Sequence, residues 1–165
     1  MIYYSQITTK FDLKGGKFVG NGYTGRLFEH EVLGECVWRQ SQEYLPYRQA
    51  LALVRECQPW DPADPGPRMA SDLHATVCMA LELEDWFQLR LYTAVGSPAD
   101  RYHGVDGWVE WQGRVVTLDL TTDPAKGFAK ADFLVRPEDM EGSALEELAR
   151  QVAEKLLGAS LAAIV

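Results

Sequence analysis

The sequence predicts an α+β fold, and three observations carry that prediction. The C-terminal half runs helix, strand, strand, strand, helix, a succession that layers helices against a sheet. Its two central strands, VDGWVEW and RVVTLDLT, alternate with a period of two and meet at Gln112-Gly113. PWDPADPGP (Pro59 to Pro67) places four prolines between two patterned parts of the chain, where neither a helix nor a central strand can continue.

Length and composition set the bounds. The chain has 165 residues, 47% apolar and 24% charged, enough for one domain with a proper core and no staples. The formal net charge is −8, which opposes general affinity for naked nucleic acid but leaves room for a site where metal ions offset local carboxylates. Cys36, Cys57 and Cys78 are isolated, with no CxxC pair, which fits a reducing compartment and no structural zinc. MIYYSQITTK lacks the apolar stretch of a signal peptide, and no apolar run reaches the ~20 residues of a membrane span. The expected location is cytoplasmic, with no membrane partner.

Ile2 to Thr9 is rich in β-branched and aromatic residues and reads as a strand. KGGKFVGNGYTG (Lys14 to Gly25) follows with five glycines and reads as turns; it lacks the GK[ST] ending of a phosphate loop. Helical patterning runs from about Leu27 to Cys57, broken or begun at Pro46, with Tyr44, Leu45, Tyr47, Ala52 and Leu53 suited to a packed face. Beyond the proline-rich loop, Ala70 to Val95 is helical, one helix or two, with Leu73, Val77, Leu81, Trp86 and Leu89 near one face and Ser71 as its cap. GSPADRYHG (Gly96 to Gly104) reads as a loop. FAKADFLV (Phe128 to Val135) is the third strand. Ser143 and Glu146 make a capping box for a last helix striped by Leu145, Leu148, Val152 and Leu156 and stopped by Gly158. The apolar tail SLAAIV suits a further strand or burial against a partner.

The hairpin carries the chemistry. A two-residue turn at Gln112-Gly113 sets Trp111 against Arg114, Val109 against Val116 and Asp106 against Asp119, both aspartates on one face. Opposed carboxylates repel, so one takes up a proton or both share a cation. Two carboxylates at a sheet surface suit a hard divalent ion, Mg²⁺ or Mn²⁺. The plainer alternative is a pair of turn or cap aspartates, Asp106 preceding a glycine.

These residues resemble the motif of the PD-(D/E)XK nuclease superfamily. The family carries an aspartate on one strand and (D/E)-x-K on the next, often with a helix glutamate assisting. Val105-Asp106 matches the first half, and Asp119-Leu120-Thr121 the second; the likeness covers roughly Ala70 to Leu157. It implies a restriction-endonuclease-like core, a small mixed sheet flanked by helices, at residues 67–165. Residues 1–66 are then expected to form a strand and helical extension packed on that core. Thr121 stands where the family has lysine, and Lys126 and Lys130 are the candidates to replace it. Asp106 and Asp119 are the expected metal ligands and catalytic carboxylates. Glu82 is the favoured assisting ligand, Glu84 and Asp85 being neighbours on the same segment and Asp100 a loop alternative.

His103 is a candidate ligand or proton carrier against a structural role, and His30 and His74 read as surface or packing residues without an HExxH arrangement. Trp108 shares the face of Asp106 and is expected to line the cleft, whereas Trp111 points to the core. The expected function is a metal-dependent nuclease or phosphodiesterase acting on nucleic acid. The alternative is a catalytically inactive nuclease fold or acidic interaction protein with a protein partner, and the apolar tail suits a homo-oligomer. A lysine amine within reach of the aspartates separates the two: its presence favours the enzyme.

Overall fold

Gln112 and Gly113 both take positive φ, 50° and 75°, and close a tight hairpin between β2 (Gly107–Trp111) and β3 (Arg114–Leu120). Glycine adopts that conformation without steric cost, which is why the turn sits there. Pairing runs in the predicted register, Trp111 with Arg114 and Val109 with Val116. The computed structural model describes residues 23–36 and 43–158. The strand read at Ile2 to Thr9, most of the glycine-rich segment and the tail SLAAIV lie outside the described residues.

The sheet has four strands in the order β1-β2-β3-β4. β1 (Arg90–Thr93) pairs antiparallel with β2, and β4 (Phe133–Val135) lies parallel to β3. The helices are α1 (Gly25–Val32), α2 (Tyr47–Glu56), α3 (Arg68–Ala80), α4 (Pro98–His103) and α5 (Gly142–Leu157). The protein is therefore α+β, with a small mixed sheet flanked by helices.

Alternation divides the strand side chains between two cores. Leu91, Val109, Val116, Leu118 and Leu120 join Phe28 and Val32 of α1, Leu73 and Val77 of α3, and Leu148 and Val152 of α5. On the opposite face Tyr92 and Trp108 join Ala50, Leu51 and Val54 of α2 and Ala99 of α4. Trp108 stacks on Tyr92 with ring centroids 4.9 Å apart, and its indole N–H donates to Glu110 at 3.1 Å. It is fully buried and lines no cleft, contrary to expectation. Burial of α2 at Ala50, Leu51 and Val54 leaves Tyr44, Tyr47 and Ala52 exposed, so the stripe is rotated from the one the pattern suggested.

Several boundaries differ from the sequence expectation. α3 ends at Ala80 instead of continuing to Val95. Leu83 N–H donates to the Cys78 carbonyl and Glu82 N–H to that of Met79, with Glu82 at φ 54°. That bond pair is a Schellman close, so the helix stops and the chain reverses. A 3₁₀ turn at Trp86–Gln88 then leads into β1. α3 begins after Pro67 with no side-chain cap, and Ser71 lies inside it. The segment read as a loop holds α4, begun by Ser97, whose hydroxyl accepts from Ala99 and Asp100, and ended by Gly104 at φ 66°. Only Phe133–Val135 of the expected third strand pairs with β3. α5 begins one residue before Ser143, so the Ser143–Glu146 capping box does not form; Gly158 does end the helix.

Candidate metal centre

Regular pairing of β2 and β3 ends at Gly107 and Leu118. Asp106, one residue earlier, donates its N–H to the Leu118 carbonyl at 2.9 Å, so Asp106 and Gly107 both stand against Leu118. This is the pattern of a β-bulge, which re-aims a side chain at the edge of a ladder. The freed carboxylate accepts the Leu120 N–H at 2.6 Å through Oδ2. Gly107 makes the close approach possible: a Cβ there would lie 2.7 Å from the Tyr92 carbonyl oxygen and 2.9 Å from Leu33 Cδ1. Asp106 is 3% exposed and Asp119 8%.

Two further carboxylates converge on Asp106. Glu29 comes from α1 and Asp100 from α4, and one oxygen of each of Glu29, Asp100 and Asp106 lies within 4.8 Å of the other two. Asp100 is anchored by the Gly96 N–H, which donates to Oδ2 at 2.9 Å. Glu29 follows Phe28, which is buried in the core, so the helix carries it to the edge of the sheet.

Electrostatics record the crowding. Burial pushes Asp106 up to about 9, with repulsion from Glu29, Asp100 and Asp119 adding to it; only the Leu120 amide favours the charged form. Glu29 is pushed up to about 7 by burial and then by Asp100 and Asp119, against the pull of Lys126 and Arg26. Near neutral pH the group therefore retains protons that a cation would displace.

Asp119 holds the cationic member. Its Oδ2 lies 2.7 Å from the Lys126 ammonium. The loop TTDPAK is folded so that this contact forms. Thr121 Oγ1 accepts the Asp123 N–H at 3.1 Å, Asp123 Oδ1 accepts that of Ala125 at 2.9 Å, and Lys126 N–H returns to the Asp123 carbonyl. Asp123 and Pro124 are residues suited to such a reversal. The Arg136 guanidinium then holds the Lys126 carbonyl. Thr121, in the expected lysine position, starts this turn.

The other candidates lie elsewhere. Lys130 is exposed, and its aliphatic stem runs beside Gly104, 3.6 Å from where a Cβ would stand. Glu82 occupies the left-handed position after α3 and is exposed, as are Glu84 and Asp85, so none of them joins the cluster. The reversal of the chain after Ala80 is the reason. His103 is a tether: Nε2 lies 2.7 Å from the Leu45 carbonyl oxygen, and its ring meets Tyr44 and Tyr47. His74 is buried, with Nε2 at 2.7 Å from the Leu89 carbonyl oxygen.

Glu29 was not foreseen. Its signal, a glutamate beside an apolar residue on a short amphipathic helix, is shared by Glu31 two residues on. Asp100 was foreseen only as an alternative on a loop, because α4 itself was not.

An all-oxygen set is the donor chemistry that a small hard cation takes. Metal–oxygen bonds of about 2.0–2.1 Å put ligand atoms about 3 Å apart side by side and about 4 Å apart across the ion. The Glu29, Asp100 and Asp106 oxygens lie within 4.8 Å of one another, so they would have to close in to hold such an ion. Among the described residues no helix is long and apolar enough to cross a membrane, and all three cysteines are free. Comparison with family models, with curated proteins and with solved structures gave no match.

Proposed function

We propose that this protein is a divalent-metal-dependent phosphodiesterase acting on nucleic acid. The observation that carries this is the Lys126 ammonium at 2.7 Å from Asp119, beside three carboxylates brought together from α1, α4 and the bulge before β2. Glu29, Asp100 and Asp106 would hold Mg²⁺ or Mn²⁺, with Asp119 at the edge of the same group. When bound, the ion would activate water and neutralise charge developing on phosphate.

The chain's own residues would do the rest. Lys126, fixed by Asp119 and by the Asp123 turn, would place a positive charge where a phosphoryl oxygen becomes more negative. Asp119, 2.7 Å from that ammonium, would orient it. Asp106 would release its proton as the cation enters. The likeness to the PD-(D/E)XK pattern supports this assignment, with the lysine function supplied from Lys126 instead of Thr121.

The test is Mn²⁺ calorimetry on the wild type and on Asp106→Asn, followed by cleavage assays on single- and double-stranded DNA and on RNA. Metal-dependent cleavage lost in Lys126→Met is the expected result. Absence of Mn²⁺ binding and of cleavage in the wild type would leave the rival assignment, an acidic module for a protein partner.

A further inference from the structure

We infer that Cys36 and Cys57 form an oxidant-sensitive thiol pair, whose closure to a disulfide fastens the end of α2 to the chain that follows α1. The two cysteines stand 21 positions apart in sequence, and the Cys36 thiol donates to the Cys57 carbonyl oxygen at 3.2 Å. Burial pushes the Cys36 thiol up to about 12, and the Cys57 thiol beside it adds to the rise through charge and a side-chain hydrogen bond. Cys36 belongs to the core group of Ala50, Val54 and Tyr92, and Cys57 packs against the same group.

The backbone around both cysteines is pinned to one short stretch at the end of β1, Thr93 to Val95. Cys36 N–H donates to the Val95 carbonyl at 3.0 Å, and the Gly34 carbonyl accepts the Thr93 hydroxyl at 2.7 Å. From the other side Gln58, next to Cys57, donates to the Thr93 carbonyl and accepts the Thr93 N–H, both at 2.9 Å. The fold therefore keeps the two cysteines together. Cys78 shows the contrast: it is buried too, but its sulfur lies 3.9 Å from His74 Nδ1 and 3.9 Å from the Trp86 carbonyl oxygen, with no second thiol among its described partners.

Exposure sets the order of reaction. Cys36 is 3% exposed and keeps its proton, whereas Cys57 is partly exposed. The Cys57 sulfur attacks a hydroperoxide: an S–O bond forms, the O–O bond breaks, and the Cys57 proton passes to the leaving oxygen, which departs as water or an alcohol. The Cys36 sulfur then displaces hydroxide from Cys57. The S–S bond forms, the S–O bond breaks, and the hydroxide leaves with the Cys36 proton as water. The two thiols lose two electrons and two protons, and the hydroperoxide takes both. Under reducing conditions thiol exchange reopens the bridge. The metal centre takes no part in these steps, so this inference stands or falls apart from the proposed function.

The test treats the folded wild-type chain with hydrogen peroxide, blocks the remaining thiols by alkylation and maps the non-reduced tryptic peptides by mass. Trypsin cuts after Arg39, Arg48 and Arg55, so the two cysteines fall on separate peptides. A Cys36–Cys57 link is expected, lighter than its two peptides by two hydrogens and reopened by a thiol reductant. Cys78→Ser should leave that link intact, and Cys36→Ser should leave Cys57 as a sulfenic acid that dimedone traps. The oxidised wild type should melt about 5 °C or more above the reduced protein, because the bridge constrains the unfolded chain. Failure of the link to form, a link of either cysteine to Cys78, a link between chains, or over-oxidised and unlinked Cys57 would each overturn the inference. So would an unchanged or lower melting temperature. The mapping and the melts both use the wild type, so neither depends on a core variant folding.

Discussion

The Asp106 carboxylate accepts the Leu120 amide at 2.6 Å, at the point where the β2–β3 ladder gives way to a bulge. The bond does two things at once. It replaces a ladder hydrogen bond between strands, and it fixes a carboxylate that would otherwise be buried without a donor. The two roles separate by substitution. Asp106→Asn keeps an acceptor for Leu120 and should fold normally while losing Mn²⁺ binding. Asp106→Ala leaves the Leu120 amide unpaired in a buried place, which costs about 1–3 kcal/mol. Urea unfolding of both variants, beside calorimetry, checks this; equal destabilisation by the two would show that the hydrogen bond is not what Asp106 contributes to the fold.

A pH dependence follows from the same carboxylates. Below about pH 4 Asp106 is protonated in folded and unfolded chains alike. As pH rises the unfolded chain releases that proton near its ordinary value of 3.8, while the folded protein holds it until about 9. Glu29 does the same between 4.5 and about 7. The folded state binds more protons through this window, so these groups make metal-free stability fall as pH rises from about 4 to 9. Metal reverses the sign: a cation binds the ionised carboxylates, so Mn²⁺ affinity rises with pH and binding releases protons. Thermal melts with and without Mn²⁺ at mildly acidic and mildly alkaline pH should show stabilisation by the ion growing with pH. A constant increment would mean that Asp106 and Glu29 do not take part.

Lys126 and Lys130 should behave differently. Lys126→Met removes the charge beside Asp119 and is expected to lower cleavage by about a hundredfold or more while Mn²⁺ still binds. Lys130→Met, at an exposed position beside Gly104, should leave both unchanged. Rate measurements on matched preparations decide this, and a greater loss in Lys130→Met would reverse the assignment.

The hairpin that carries Asp106 and Asp119 was legible in the sequence because it rests on local rules. A glycine two residues after Trp111 fixes a tight turn, and the turn sets the strand register as far as Gly107 and Leu118, one residue short of the expected pairing of Asp106 with Asp119. The bulge was not legible, since it depends on a carboxylate substituting for a strand carbonyl across the ladder. Nor was Glu29, whose proximity to Asp106 is created only when α1 packs on α3 and the sheet. The helix α4 carried its signals openly, Ser97 before Pro98 and Gly104 after His103, but so short a segment has no hydrophobic period to announce it. The β1 strand is shorter still, and its apolar residues merge with the pattern of the preceding helix. Glu82 misled because periodicity was carried past the residue at which the backbone turns left-handed.

Gly107 should tolerate no side chain. A Cβ there would meet the Tyr92 carbonyl oxygen at 2.7 Å, and backbone in a paired strand cannot move aside as a side-chain end can. Gly107→Ala is expected to cost about 1–3 kcal/mol through overpacking, and to disturb Asp106 next to it. Urea midpoints measure the first effect and Mn²⁺ calorimetry the second. Wild-type values for both would show that the strands separate readily here.

Glu82 offers the opposite case, a position where the fold gains by losing a side chain. At φ 54° it occupies the Schellman position usually given to glycine. The left-handed conformation costs an ordinary residue about 1–2 kcal/mol. Glycine avoids that strain but loses more backbone freedom on folding, about 0.5–1 kcal/mol. The difference leaves Glu82→Gly more stable than the wild type by about 0.5–1 kcal/mol. Because Glu82 is exposed and outside the carboxylate group, Mn²⁺ affinity should not change. Chemical denaturation beside calorimetry gives both readouts. A loss of Mn²⁺ binding in this variant would return Glu82 to the metal centre and displace Glu29 from it.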